Sequence, residues 1–425
     1  MNTSTSSTPA KLSAAGGTTV IAVMTASHFI NDNFTSLLTP LGPAIAERFQ
    51  VTLADTGTLV AVLSLVGSVS QPLFGALGDR VDRRWLAAAG PVLAAVGMTL
   101  MGYAPTFFAL ALLIILGGIG SAVFHPSGAA YVAANSNLER RGLYASIFSA
   151  GGTAGLALGP LTATALGLNG IVWLMPLGLL MGVVSYALTP SSRSASGKAV
   201  GLKDYLETFS GPIRTLWGIS VLRSLSTVTY GSLIPFVAAD NPQQWQFQLF
   251  MPRFAFESGV FTFQLDIVQI SNSYSVAVAL FLLSIAAALG GIAGGQISDR
   301  IGRTKVLRSS VGILIPLFVM LVFVTPSSIG PFPFWLLVFA VGATANATIP
   351  VAVVAAQEYA PGKTATTSAL MMGFAWGTAG VLYKLVAEFA ELTSITTAML
   401  VTIALLVPAW WLTLKLPEPE RARLD

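Results

Sequence analysis

The chain contains two histidines, His28 and His125, and both lie in stretches that read as membrane-spanning helices. Asp32 stands four residues after His28, one turn further along the same helical face. An ionisable side chain at the centre of a bilayer costs about 2.5–3.5 kcal/mol or more, so such residues are functional by default. A histidine beside a carboxylate can exchange protons: burial and the neighbouring charge tune both groups, and imidazole changes charge near neutral pH. His28 and Asp32 are therefore the candidate proton-coupling pair. The plainer alternative is a buried hydrogen bond that fixes the first helix to a neighbour. His125 precedes Pro126, which frees a backbone carbonyl one turn back, at Ser121 or Ala122, and bends its helix. Its imidazole either faces a cavity as a substrate contact or satisfies that carbonyl. Arg223, a permanent cation within another span, suits an anionic or phosphonate-like substrate gripped by paired hydrogen bonds. An ion pair with Asp32, or snorkelling to the headgroups, would account for it equally well. Asn31 and Asn346 are weaker substrate candidates, Glu358 reads as a gate or helix-end contact, and Lys384 with Glu388 reads as an i, i+4 pair.

The elements that must position these residues follow from composition. Charged residues make up 9% of 425 positions and apolar residues 54%, against roughly 25% charged in soluble domains. Hydropathy predicts twelve helices near 18–42, 55–77, 86–103, 107–133, 143–165, 168–189, 214–239, 273–297, 305–325, 332–356, 364–388 and 395–415. With the N-terminus placed in the cytoplasm, only Arg48 and Arg253 fall outside and Arg223 and Lys384 fall within spans. The remaining lysines and arginines, of 22 in all, face inward, as the positive-inside rule requires. Both termini are then cytoplasmic. The expected organisation is a disordered tail 1–16, a six-helix half 17–189, a cytoplasmic linker 190–213, a second six-helix half 214–416 and a tail 417–425.

The halves repeat one another. Gly75-x-x-x-Asp79-Arg80-x-x-Arg83 matches Gly295-x-x-x-Asp299-Arg300-x-x-Arg303, Gly118 and Pro126 match Gly342 and Pro350, and Gly152-x-x-Gly155 matches Gly377-x-x-Gly380. Between the first helices of each half the offset is shorter: Pro40 aligns with Pro235 and His28 with Arg223. The difference places an insertion within 240–272, in the loop between helices 7 and 8. There Phe261, Phe263, Leu265 and Ile267 alternate with polar residues around a Gly259 turn, which predicts a small outward β-hairpin, with an interfacial apolar flap against the lipid as the other option. Parallel six-helix repeats form a substrate site between the halves near the bilayer midplane.

The Gly-x-x-x-Asp-Arg-x-x-Arg loop, present in both halves, resembles the signature loop of the major facilitator superfamily. Its glycine permits close helix approach, its aspartate caps a helix or receives an arginine, and its arginines sit at the headgroups. Gly75, Asp79, Arg80, Arg83, Asp299, Arg300, Arg303 and Glu358 are thus the candidate gating set. Gly151-Gly152-x-x-Gly155-x-x-x-Gly159-Pro160 in helix 5 is similar to that superfamily's antiporter motif, where small residues and a proline serve tight packing and a bend. Within the superfamily the chain resembles the fosmidomycin-resistance family of drug exporters. The resemblance rests on Ser27-His28-x-x-Asn31-Asp32, Gln71-Pro72-x-x-Gly75, Phe124-His125-Pro126, Ser146-x-Phe148-x-x-Gly151-Gly152, Gln357-Glu358-x-x-Pro361-Gly362 and Gly373-Phe374-Ala375-x-Gly377. It implies a cavity lined by helices 1, 4, 7 and 10, which favours the cavity-facing reading of His125. The 240–272 insertion departs from the pattern expected of the family.

No Gly-x-x-x-x-Gly-Lys-[Ser/Thr] loop, nucleotide-sized cytoplasmic domain or nucleophile–base arrangement is present, so neither an enzyme nor an ATP-driven pump is indicated. Cysteine is absent, which removes disulfides and thiolate metal sites; no metal or cofactor is expected. The net charge of +4 is spread over short loops and implies no nucleic-acid partner. The expected function is proton-driven export of a small toxic or anionic compound by alternating access, as a monomer in a bacterial inner membrane. The expected partners are protons, substrate and the lipid bilayer. An importer of an organic acid or sugar, and a non-transporting receptor using the insertion, are the rival readings.

Overall fold

A computed structural model describes residues 14–78, 80–136, 141–192, 207–209, 211–257, 260–361 and 363–419. The backbone polar groups of a span find no partner in lipid, so each span closes its own hydrogen bonds as a helix. Twelve helical rods result. In the first half they are α1 (Ala14–Thr35), α2 (Leu53–Ser64, then Leu65–Val69 and Gln71–Gly78), α3 (Arg83–Thr99, ending in Leu100–Tyr103), α4 (Phe107–Asn135), α5 (Arg141–Gly170) and α6 (Met175–Leu188). In the second half they are α7 (Gly211–Asp240), α8 (Asn272–Ile301), α9 (Arg303–Phe323), α10 (Pro331–Asn346 and Thr348–Tyr359), α11 (Thr364–Ala369, Leu370–Phe374 and Ala375–Leu392) and α12 (Ile395–Ala404 and Leu406–Leu414).

Among the described residues eight helical runs are long and apolar enough to cross a bilayer, one of them the Leu143–Leu188 run that joins α5 to α6 through a break at Gly167. The rods outside that set are α1, α2 and α7. Two of them carry His28, Asn31, Asp32 and Arg223 in their interiors, and α2 changes to π-helical winding over Leu65–Val69. α1 stops at Thr35 rather than near residue 42, because Pro40 cannot donate to a helical ladder; a short helix, Gly42–Phe49, follows. Polar caps start several rods: the Thr106 hydroxyl accepts from Ala109, that of Ser271 from Tyr274, and that of Ser394 from Thr397.

The predicted hairpin is present. β1 (Phe247–Glu257) pairs antiparallel with β2 (Val260–Ile270), from Phe247 opposite Ile270 to Glu257 opposite Val260. Its base is anchored where buried Trp245 meets Phe334 and Phe247 meets Trp335. The end of the bundle bearing the hairpin is called here the hairpin end, and the opposite one the terminal end.

Each half has its own apolar cores: Phe34, Leu59, Met98 and Ile114 with neighbours in the first half, Leu233, Phe318, Val341 and Met399 with neighbours in the second. The halves meet chiefly where α2 packs on α11 and α5 on α8. Towards the hairpin end, a Cβ on Gly57 would lie 2.6 Å from that of Ala387, and the Ala54 N–H donates to Glu391 Oε1 across the interface at 2.7 Å. On approaching the terminal end, α5 exposes Ala145, Ser146, Ser149 and Ala150.

Candidate functional site

Asp32 is at the centre of a buried cluster. The α-helical spacing brings His28 Nε2 to 3.2 Å from Asp32 Oδ2. From α4, His125 Nε2 comes to 3.3 Å from the other oxygen, Oδ1. Asn31 Nδ2 donates to Oδ1 at 3.1 Å. His28, Asn31 and Asp32 are buried, and the His125 side chain is 25% exposed. The outer nitrogen of each imidazole is fixed as well. His28 Nδ1 lies 2.8 Å from the Phe148 carbonyl of α5. His125 Nδ1 lies 2.8 Å from the Ser121 carbonyl one turn back and 3.2 Å from the Ser121 hydroxyl. His125 therefore satisfies the Ser121 carbonyl, as one of its two readings had it, and turns its second nitrogen to Asp32.

Aromatic rings enclose the imidazoles. Phe148 stacks on His28 with ring centroids 4.2 Å apart, Phe124 lies beside both histidines, and the two imidazoles meet edge to face at 4.9 Å. These rings exclude water from one side of the cluster and strengthen its electrostatics. The helix-5 motif supplies the rest of the wall. Gly151, Gly152, Gly155 and Gly159 lie along the α1–α5 seam, against Thr25, His28, Phe29 and Ser36 in turn, and Pro160 is buried at its far end. A Cβ on Gly152 would overlap His28 Nε2 and lie 2.7 Å from Asp32 Oδ2. The motif is therefore packed against the candidate proton site itself, beyond joining two helices.

Arg223 and Asn346 are in the other half. Arg223 is 3% exposed, and its guanidinium donates to the Ala345 carbonyl at 3.3 Å and the Ser224 hydroxyl at 2.7 Å. No described carboxylate pairs with it, and Asp32 pairs with the histidines instead. Asn346 is half-buried at the break in α10, next to that carbonyl. Each half thus holds one buried polar group: a titratable one on α1 and α4 in the first, and a cationic one on α7, bonded to α10, in the second.

The gating residues divide by half. Asp79 lies outside the described residues, Gly75 is in α2 near Pro126, and Arg80 is exposed in the following turn. The residue that caps α3 is Asp82, which accepts from the Arg84 N–H at 3.0 Å and from the Ser192 N–H at 2.9 Å. Arg83 starts α3, and its own N–H donates to the Ser192 carbonyl. In the second half Arg300 is exposed, while Arg303 joins Asp299 at 2.5 Å and Glu358 at 3.1 Å, tying together α8, α9 and α10. Glu418 from beyond α12 caps α9 through the Arg303 and Thr304 N–H groups at 2.5 and 3.1 Å. Lys384 and Glu388 pair at 2.8 Å.

The sequence reading did not find the Phe148 carbonyl, the contact of Gly152 with Asp32, or the Glu391 and Glu418 contacts. Carbonyl positions and helix crossings leave no residue-type signal, whereas the i, i+4 spacing of His28 and Asp32 does. The ligand-type atoms of His28, Asp32 and His125 lie within 4.8 Å of one another, donor chemistry that would also suit a divalent cation.

Comparison with known proteins is consistent with this architecture. The family model described as Major Facilitator Superfamily matches residues 24–383. The fosmidomycin resistance protein of Escherichia coli (strain K12) is 28% identical over 383 residues, covering 88% of this chain and 87% of that protein. An MFS-type transporter of Bacillus subtilis (strain 168), YfnC, is 27% identical over 418 residues, covering 96% and 95%. Among solved structures, an inward-facing, unoccupied bacterial homologue of the human lysosomal transporter Spinster superposes with a TM-score of 0.74 at 16% identity, covering 95% of this chain and 98% of that one.

Proposed function

The chain belongs to the Major Facilitator Superfamily of membrane transporters, and from that premise we propose that it is a proton-coupled antiporter exporting a small anionic compound. The observation that carries the proposal is the buried His28–Asp32–His125 cluster: groups able to exchange protons, placed in the half opposite a buried cation. The bias of lysine and arginine places the terminal end in the cytoplasm. The contacts at the hairpin end support a closed outer side in this reading, with water reaching the cluster from inside through the part-exposed His125 side chain.

In this reading Asp32 and His28 take protons from the outside when the halves tilt the other way, and release them inward in the arrangement described. Arg223 holds the anionic group of the substrate, because a guanidinium buried among neutral acceptors lacks the counter-charge that an anion would supply. Asn346, which follows Ala345 in sequence, supplies an additional donor. The similarity to the fosmidomycin resistance protein supports export of a phosphonate-like compound, and the packing of the antiporter-like motif on Asp32 supports exchange over symport.

The test is transport by purified protein in sealed proteoliposomes carrying a pH gradient, with fosmidomycin as probe. Asp32→Asn is expected to abolish proton-driven accumulation while leaving binding of the probe measurable. Accumulation at the wild-type rate would overturn the assignment.

A further inference from the structure

We infer that His28, Asp32 and His125 form a single two-proton carrier, one proton bridging each imidazole to Asp32, with Gly152 kept free of a side chain to admit that contact. The inference deepens the proton-coupling reading and moves His125 from substrate contact to proton carrier. The argument begins with the far side of each ring. A backbone carbonyl can only accept, so the 2.8 Å contacts to Phe148 O and Ser121 O require a hydrogen on Nδ1 of both histidines. A neutral histidine of that tautomer carries a bare lone pair on Nε2. In both rings Nε2 faces a carboxylate oxygen, at 3.2 and 3.3 Å. A lone pair opposite a carboxylate oxygen repels it unless a proton lies between them. Two such contacts, one on each oxygen of the same carboxylate, therefore take two protons.

The carrier then has three charge states. With both protons it bears one net positive charge, with one it is neutral, and with none it is an anion in which two lone pairs oppose Asp32. Loss of the protons turns two attractions into repulsions, and both act between α4 and α1 or within α1. Pro126 removes one ladder hydrogen bond beside His125 and so lowers the cost of moving it. The protons leave as hydronium to the water that reaches the quarter-exposed His125 side chain, and no other group need accept them. The helices around the cluster bring few other charges. α1, α4 and α6 contain no further Asp, Glu, Lys, Arg or His, α5 adds only Arg141 at its start, and α3 adds Arg83 and Arg84 at its terminal end. α2 adds Asp55 in its first turn, and α8, packed on α5, adds Asp299 and Arg300 in its last turn. Of the tyrosines on α4 and α5, Tyr131 donates to the Pro190 carbonyl, away from the cluster, and Tyr144 packs on the apolar core. The three groups thus hold the two protons as one coupled unit.

The chain's two histidines make the test direct. The full-length protein, with 15N-labelled histidine and reconstituted in lipid nanodiscs, gives one pair of ring-nitrogen signals per residue, assigned by His28→Gln and His125→Gln. The expected result is that both neutral rings carry hydrogen on Nδ1, and that Asp32→Asn and Gly152→Ala each change the titration of both histidines together. A Nε2–H tautomer in either ring would overturn the inference, as would a His125 titration indifferent to Asp32→Asn. Binding of one Zn2+ per protein in metal-free buffer, with loss of both titrations at equimolar ion, would assign the cluster to a cation and overturn it too. The wild-type tautomers decide even where a variant fails to fold. Failure is separable from failure of the antiport reading, since Asp32→Asn in vesicles reports coupling whatever the tautomers are.

Discussion

Arg223 is held by two neutral acceptors at 3% exposure, an arrangement that a folded membrane protein has no structural reason to keep. Replacing buried ionic groups by apolar residues of similar volume is commonly neutral or stabilising by about 1–4 kcal/mol. Arg223→Met is therefore expected to leave thermal stability in detergent unchanged or raised, while lowering transport of an anionic probe at least tenfold. Arg223→Lys should recover only part of it, because an ammonium lacks the planar fork. A destabilised Arg223→Met protein would show instead that the guanidinium is a structural strut on the Ala345 carbonyl. The chemistry at this scale was legible in sequence only in part. The spacing of His28 and Asp32 forces their contact within one helix, and the contact is there. That His125 joins them while Arg223 does not depends on how α4 and α7 cross α1, for which residue types carry no mark.

At the scale of elements, the repeat explains a contact that looks arbitrary alone. Asp82 caps α3, but its counterpart in the second half is Gly302, which has no side chain to offer and takes a positive φ of 107°. Glu418 supplies the missing carboxylate from the segment after α12. Its counterpart in the first half, Ser192 after α6, docks on the start of α3 through its backbone. Both halves therefore fasten their last helix to the start of their third, with the acid moved from loop to tail. An N-cap is worth about 0.5–2 kcal/mol, so Glu418→Ala is expected to destabilise the second half by about that amount, and Asp82→Ala the first. Limited proteolysis near residue 303 or residue 83 would read each effect locally. Equal protection in Glu418→Ala and wild type would show that the tail merely rests on α9. The twelve spans were legible because hydropathy over a bilayer's thickness is a strong signal. The π turns in α2 and α11 were not, although Leu65–Val69 and Leu370–Phe374 meet where the halves pack. A single extra residue per turn leaves hydrophobic periodicity nearly unchanged, and such turns recur at functional sites.

At the scale of the whole molecule, transport by rocking requires that the contacts at the hairpin end break in every cycle. The Ala54–Glu391 hydrogen bond is one such contact: it joins the first turn of α2 to the last turn of α11, and so couples the halves towards the hairpin end. The chain has no cysteine, so a pair introduced as Ala54→Cys and Glu391→Cys forms a disulfide with no competing thiol. The two residues are neighbours across the interface, where the Ala54 N–H reaches the Glu391 carboxylate at 2.7 Å. Oxidation is expected to lock the hairpin end and abolish probe transport in proteoliposomes, and a reductant should restore it. A rigid fold with a fixed pore would transport equally well oxidised or reduced, and that outcome would refute rocking of the halves. The same pair also links site to motion. If proton loading of the cluster drives the outward tilt, the rate of crosslinking in vesicles should fall as the outside is acidified, and Asp32→Asn should remove that dependence. A rate that follows outside pH equally in both proteins would place the dependence outside the cluster, because ionisation of the introduced thiols alone slows crosslinking in acid.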